Sequence, residues 1–266
     1  MKPFRLEVEL KTPVVLGSRP LRLEGLLWHC LYLNYGCPDT AREKLHDYLQ
    51  FNGRFFHASS CAFFARKEQR IAEDFLKGTA WGFDPKEAIK KPSRAAPIKE
   101  VIARDRSTVG AMRQEDLHED LIAPFGKRKP YKKLELLGGK YRIRMNQWKA
   151  YWAESLVFHG VGNGGAIASL MEFYLASIGV NASIGFGTIG RVRAMPERKD
   201  YSIVDPNRDL ARPIPLDSDY QPRNPEKLLI EDALLMPPFR GEQGEPCYLP
   251  ERIRTIYDDT SALDGA

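Results

Sequence analysis

The chain opens on a faultless alternation. In Phe4-Arg-Leu-Glu-Val-Glu-Leu10 every second side chain is apolar, which predicts a strand with one buried face. Thr12-Pro13 and Gly17-Ser18 interrupt it. The period then lengthens: Leu23, Leu26, Leu27, Cys30 and Leu31 form a stripe, predicting a buried helix over Leu21–Tyr35 that stops at Gly36. Asp39 or Thr40 is placed to cap a second helix running to about Gln50, with Ala41, Leu45, Tyr48 and Leu49 on one side. Phe55–Phe64 is aromatic-rich and strand-like. From Gly78 to Gly126 periodicity fades among Pro85, Pro92, Pro97, Gly110 and Pro124, the pattern of a long irregular insertion at about residues 66–126.

Further strands are predicted at Tyr131–Leu137, Tyr141–Met145 and Tyr151–Phe158. A helix over Gly164–Ser177 follows, with Ile167, Leu170, Met171, Tyr174 and Leu175 inward. A glycine-rich turn then leads into a strand. Beyond Asp200 the chain is proline-rich and short of periodicity, apart from Leu228–Met236. Strand, helix, strands, helix, strand predicts an α+β fold with a ferredoxin-like, RRM-type βαββαβ core over residues 1–199. Residues 200–266 form an irregular extension expected to pack on it. Two helices on one side of such a sheet would leave its other face open to a ligand.

With 43% hydrophobic and 28% charged residues, wholesale disorder is excluded. No apolar run reaches the roughly 18 residues of a membrane helix, and the N-terminus lacks a signal-peptide core. A cytoplasmic protein without a membrane partner is expected. Cys30, Cys37, Cys61 and Cys247 are too scattered for a disulfide framework or a zinc site.

Charge changes the picture more than composition does. Between Lys127 and Lys149 nine basic residues face Glu135 alone, whereas beyond Lys199 fourteen acids outnumber seven bases. Tyr131, Tyr141, Trp148, Tyr151 and Trp152 fall within or just after the basic stretch. Cations that neutralise phosphates beside rings that stack bases suit single-stranded nucleic acid. A solvated basic face with core aromatics fits the same residues.

Gly185, Gly187 and Gly190 have the Gly-x-Gly-x-x-Gly spacing, but a helix precedes them and a strand follows, the reverse of a dinucleotide-binding turn. No Gly-Lys-Ser/Thr occurs. Such a loop either brings backbone N–H groups close to phosphate or simply closes a tight turn. For catalysis the candidate is His29, an imidazole in the first helix, with His57 and His159 behind it. Glu115, Asp116, Glu119 and Asp120 with His118 are the one acidic group dense enough for a metal, and equally a solvated helix.

The succession ESLVFHGVGNGGAIASLMEFYLASIGVNASIGFGTIGRV resembles the C-terminal half of the RAMP (repeat-associated mysterious protein) module of CRISPR effector subunits. TPVVLGSRP followed by LRLEGLLWHCL is similar to that module's opening. GKRKPYKKLEL, WKAYWAESLVFHGVGN and MPPFRGEQGEPCYLP look like the handle-capping subunit of type IV complexes. These patches span residue 4 to about 250, with little from 60 to 125. The resemblance implies a non-catalytic subunit, without cofactor or metal, that grips the 5′ handle of the guide RNA. It also implies one copy beside the large subunit, nucleation of the backbone filament, and a contribution to reading the motif that flanks target DNA in antiviral defence. Lys127, Arg128, Lys129, Lys132 and Lys133 would neutralise phosphates. The loop Asn181, Ser183, Gly185, Phe186, Gly187 and Gly190, with Arg191 and Arg193, would shape the handle's path. Related loops carry Lys or Arg just before the glycines, where this chain has Val180-Asn181-Ala182-Ser183. Some RAMP proteins instead cut guide precursor without metal, and His29 stands at the matching place for that alternative.

Overall fold

The computed structural model describes residues 1–66, 78–79, 98–106, 145–180, 182, 185–220, 222–239 and 244–258; for 65–66, 78–79, 98–106, 145–148 and 257–258 it describes the backbone alone. β1 (Lys2–Leu10) buries Phe4, Leu6, Val8 and Leu10, as its alternation requires. α1 (Leu23–Tyr35) ends where Gly36 turns left-handed at φ 69. α2 (Pro38–Tyr48) begins one or two residues before the expected cap. Cys37, in an extended conformation, holds the N-cap position, and Pro38 opens the helix because its missing N–H is not needed there. β2 is shorter than the aromatic run suggested, Ala62–Arg66, since Phe51–Ser60 makes only isolated bridges.

The insertion is not wholly irregular. β3 (Gly78–Thr79) and β4 (Ile98–Arg106) lie within it, and β4 pairs antiparallel with β5 (Met145–Ala153) in a separate three-stranded sheet. The expected strand Tyr151–Phe158 is therefore two strands in two sheets. The chain breaks at Glu154, whose carbonyl accepts from the Leu10 N–H at 2.9 Å, and β6 (Ser155–Gly162) starts afresh. α3 (Gly164–Tyr174) is capped by Asn163, which accepts from the Ala166 N–H. It stops three residues short of the expected Ser177. Leu175 and Ile178 leave the helix to reach the core, and Ser177 bridges Thr188 ahead of β7 (Ile189–Pro196). The expected strand Tyr131–Leu137 lies outside the described residues, as does the expected strand Tyr141–Met145 up to residue 144; Met145 is the first residue of β5.

β8 (Ile214–Pro215), β9 (Ile230–Ala233) and β10 (Glu245–Tyr248) form a third sheet, ordered β8-β10-β9. β11 (Thr255–Asp258) then returns to the main sheet, ordered β11-β2-β6-β1-β7. There β1 is antiparallel to β6 and β7, β2 is antiparallel to β6, and β11 is parallel to β2. Leu27 and Leu31 of α1, Ala41 and Leu45 of α2, and Ile167 and Met171 of α3 share one core with Leu6, Val8, Phe63, Phe158 and Val192. All three helices thus lie on one face, an α+β architecture.

The opposite face is not the open platform expected. Over β6 it is closed: Ser155 is 1% exposed, Val157 0% and His159 1%, and Val157 packs with Ala62, Phe64 and Ile256. The C-terminal extension is responsible for part of this, because β11 supplies Ile256. Its described residues are tied on further by buried cations. Arg254 pairs with Asp205 at 3.0 Å and donates to the Ser60 carbonyl at 2.8 Å, while Arg212 donates to the carbonyls of Phe56 and Ala58. Among the described residues no helix is long and apolar enough to cross a membrane.

Candidate nucleic-acid interface

Glycine is required in the loop before β7 for a packing reason. At Gly179 (φ +90) an added Cβ would meet the Val15 carbonyl oxygen at 2.6 Å, and at Gly187 (φ +64) it would overlap the Ile178 carbonyl. Gly185 (φ +92) faces open space. The loop is laced to the segment after β1. Val180 N–H donates to Val15 O at 2.8 Å, Gly187 N–H to Pro13 O at 2.8 Å, and Thr188 N–H to Thr12 Oγ1 at 2.8 Å. Gly185 N–H donates to Ala182 O at 3.0 Å. These four amides are spent within the fold, so an anion approaching the described part of the loop would meet side chains rather than those donors.

Those side chains are Arg191 and Arg193. Both are exposed on β7, and neither forms an ion pair with another described residue. Alternation puts them on the face opposite the helices, where Arg193 stands across from Glu7 and Arg5 across from Met195. Arg5 donates to Met195 Sδ at 3.5 Å and lies over the Phe64 ring at 5.2 Å. Gly190 lies close against the Glu9 side chain, whose carboxylate accepts the Arg191 N–H at 3.1 Å, and Glu7 accepts from the Ser155 hydroxyl at 3.1 Å. The strip continues past the strand with exposed Arg198 and Lys199. These two and Arg5 were missed in the sequence, although the parity of β1 already placed Arg5 off the core face.

Phe186 is half-buried against Val15 and Ala150, which leaves part of its ring accessible for stacking. Val14 and Tyr151 exchange backbone hydrogen bonds at 2.8 and 2.9 Å. The end of the basic stretch, at Lys149 and Ala150 on β5, therefore meets the glycine loop across Val14–Val15. Tyr151 is a core ring, 5.6 Å from Phe63, whereas Trp152 is 39% exposed. Lys127, Arg128, Lys129, Lys132, Lys133, Asn181 and Ser183 lie outside the described residues, as do Tyr131, Tyr141, the Trp148 side chain and the acidic group Glu115 to Asp120.

His29 is exposed on α1, on the helical side, with no hydrogen-bond partner among the described residues. His57 and His159 are buried and serve as ties. Their Nδ1 atoms meet Asp200 at 2.7 Å and Glu197 at 2.8 Å, fastening the segment after β7 to the sheet. Burial acts to raise the Asp200 pKa, but hydrogen bonds from His57 and Ser202 outweigh it and hold the carboxyl below its ordinary range. Among the described residues no group of three or more His, Cys, Asp or Glu could hold a metal ion.

The four thiols differ sharply. Burial pushes Cys30 up to about 12 and Cys61 and Cys247 up to about 11, whereas the Thr40 hydroxyl, with the amides of Thr40 and Asp39, lowers Cys37 at the mouth of α2. At pH 8 iodoacetamide is expected to modify Cys37 first in the native protein, and the others only on unfolding. Peptide mass mapping that found Cys30 or Cys61 labelled at a similar rate would contradict this placement.

No protein-family model matches the sequence, and comparison with curated proteins finds no match.

Proposed function

We propose that the chain is a non-catalytic, RNA-binding RAMP subunit of a type IV CRISPR ribonucleoprotein, which grips the 5′ handle of the guide RNA in the cytoplasm and nucleates the backbone filament. The observation that carries this reading is the junction at Val14–Val15, where the end of the basic stretch meets the glycine loop that leads into β7. The order β2-β6-β1-β7, antiparallel throughout and with helices on the β1–β2 and β6–β7 connections, supports a ferredoxin-like module. Partners would be the guide RNA, the backbone subunits and the large subunit, with the DNA flanking motif read beside them. Because the middle of the sheet is closed, the strand would run along the β7 edge and the loop.

On this reading Arg191 and Arg193 each neutralise a phosphate. Binding of a 5′-labelled repeat RNA should fall with salt by about −0.7 in logarithmic slope per phosphate contacted. Arg191→Glu with Arg193→Glu is expected to weaken binding and to flatten the slope by about 1.4. Filter binding that shows no salt dependence would defeat the proposal. Metal-free cleavage of the RNA, abolished by His29→Ala, would replace it with a catalyst.

A further inference from the structure

A pocket of about 370 Å3 lies between the turn at Gly179–Val180, the start of α1 and β9, within the range of small-molecule sites. Leu16, Leu21, Leu26 and Leu249 give it apolar walls, and Phe239 gives it a flat one. The placement of that ring is costly. Phe239 holds φ +58, a region bulky residues avoid. The Arg22 guanidinium lies 3.5 Å from the ring centroid, and an added Cβ at Gly25 would come within 2.8 Å of the ring edge. Arg22 is committed to the interior: Nη2 donates to the Leu234 carbonyl at 2.6 Å, and Nη1 faces Glu24 at 3.6 Å.

The polar groups left for a ligand are few. Arg19 lines the pocket, is exposed, and makes no hydrogen bond or ion pair with another described residue. Glu231 and Asp232, consecutive on β9, also line it, are exposed and have no ion pair among the described residues. Consecutive strand residues point to opposite sides, so at most one of the two carboxylates turns toward a ligand in the pocket. The matching ligand has an anionic group for Arg19, a flat apolar body for Phe239 and the leucines, and N–H donors for a carboxylate. We infer that this pocket binds a single nucleotide whose base carries an amino group. Guanidinium pairs with phosphate, an aromatic face stacks a base, and a carboxylate accepts from an exocyclic amine. Uracil, lacking that amine, is the disfavoured base.

The inference goes beyond the handle-binding reading and does not rest on it, and its test uses mononucleotides. Titration calorimetry of the full chain with AMP, CMP, GMP and UMP should give saturable binding, weakest for UMP. Arg19→Ala should weaken all of them about tenfold, as loss of a charge-assisted hydrogen bond does. Glu231→Gln with Asp232→Asn should erase the preference of CMP over UMP. Val180→Trp, at a 43% exposed position on the rim, should block entry without disturbing the core. Circular dichroism matched to wild type excludes misfolding of each variant. Competition against labelled single-stranded RNA then identifies the source. If mononucleotide displaces RNA, the occupant is one nucleotide of a bound strand; if both bind together, it is a free nucleotide. No saturable binding at millimolar concentrations would overturn the inference, as would binding unaltered by Arg19→Ala and Val180→Trp. A protein that binds RNA but no mononucleotide loses the pocket and keeps the handle reading; one that binds mononucleotide alone loses the handle reading and keeps the pocket.

Discussion

Replacing Glu24 with alanine is expected to remove about 3–5 kcal/mol of stability, the cost of breaking a buried ion cluster from one side. Glu24 is 0% exposed and lies between Arg22 Nη1 at 3.6 Å and Arg212 Nη2 at 3.5 Å. Neither contact is a hydrogen bond in length, so the carboxylate acts as a buried counter-charge between the two guanidiniums. Burial depresses the Arg212 pKa, and it lowers Arg22 to about 10; in both cases Glu24 is the largest opposing influence. Without it two guanidiniums would face each other with no anion between them. The damage should spread to the C-terminal extension, because Arg212 also stacks on Phe55 at 4.2 Å and Arg22 holds Leu234 and Phe239. Urea unfolding followed by circular dichroism gives the loss directly, as a fall in midpoint at unchanged slope. Glu24→Gln, which keeps the shape and removes the charge, should lie between. The exposed pair of Arg54 with Glu245 is the contrast: Glu245→Ala should cost no more than about 1 kcal/mol. Equal effects at Glu24 and Glu245 would mean that water reaches the cluster.

The second large effect is expected at Gly187. Alanine there meets both a left-handed backbone and the carbonyl of Ile178, so the loop must leave Pro13 to accommodate it. A loss of about 3 kcal/mol is expected. Gly185→Ala shares the positive φ but points into open space, and should cost about 1 kcal/mol. The pair separates a position held by packing from one that needs only backbone freedom. Thermal unfolding of the two variants should differ by several degrees, and if they melt together, the docking of the loop on Pro13–Val15 is not what holds it. On the proposed function Gly187→Ala also displaces Phe186 and the start of β7, so RNA binding should weaken with it, while Gly185→Ala should retain binding.

Much of the framework was legible locally. β1 faces core on one side and polar surroundings on the other, so its period of two is written residue by residue, and the stripe of α1 and its Gly36 stop are equally local. β6 was not separable from β5, because Ser155–Gly162 is buried on both faces and its apolar run merges with Tyr151–Ala153. Nothing near Glu154 announces a change of sheet; the break exists because Leu10 claims the Glu154 carbonyl. The extension beyond residue 200 is short of periodicity outside Leu228–Met236 for a related reason. Its strands are two to four residues long, too short to show a repeat, and much of its attachment runs through Arg212 and Arg254.

For the candidate interface, the chain alone determined where positive charge and glycine are concentrated, since composition needs no fold to be read. Only the tertiary structure decided what the described ones among those residues have left to offer. The described loop amides of Val180, Gly187 and Thr188 are consumed by Thr12–Val15, the open sheet face is closed over β6, and Arg191 and Arg193 stand exposed along β7. Hydrogen-bond partners and burial are set by segments far apart in sequence, such as Glu24 with Arg212 or Pro13 with Gly187. A side chain's chemistry is written in its residue type, but its availability is a property of whatever packs against it.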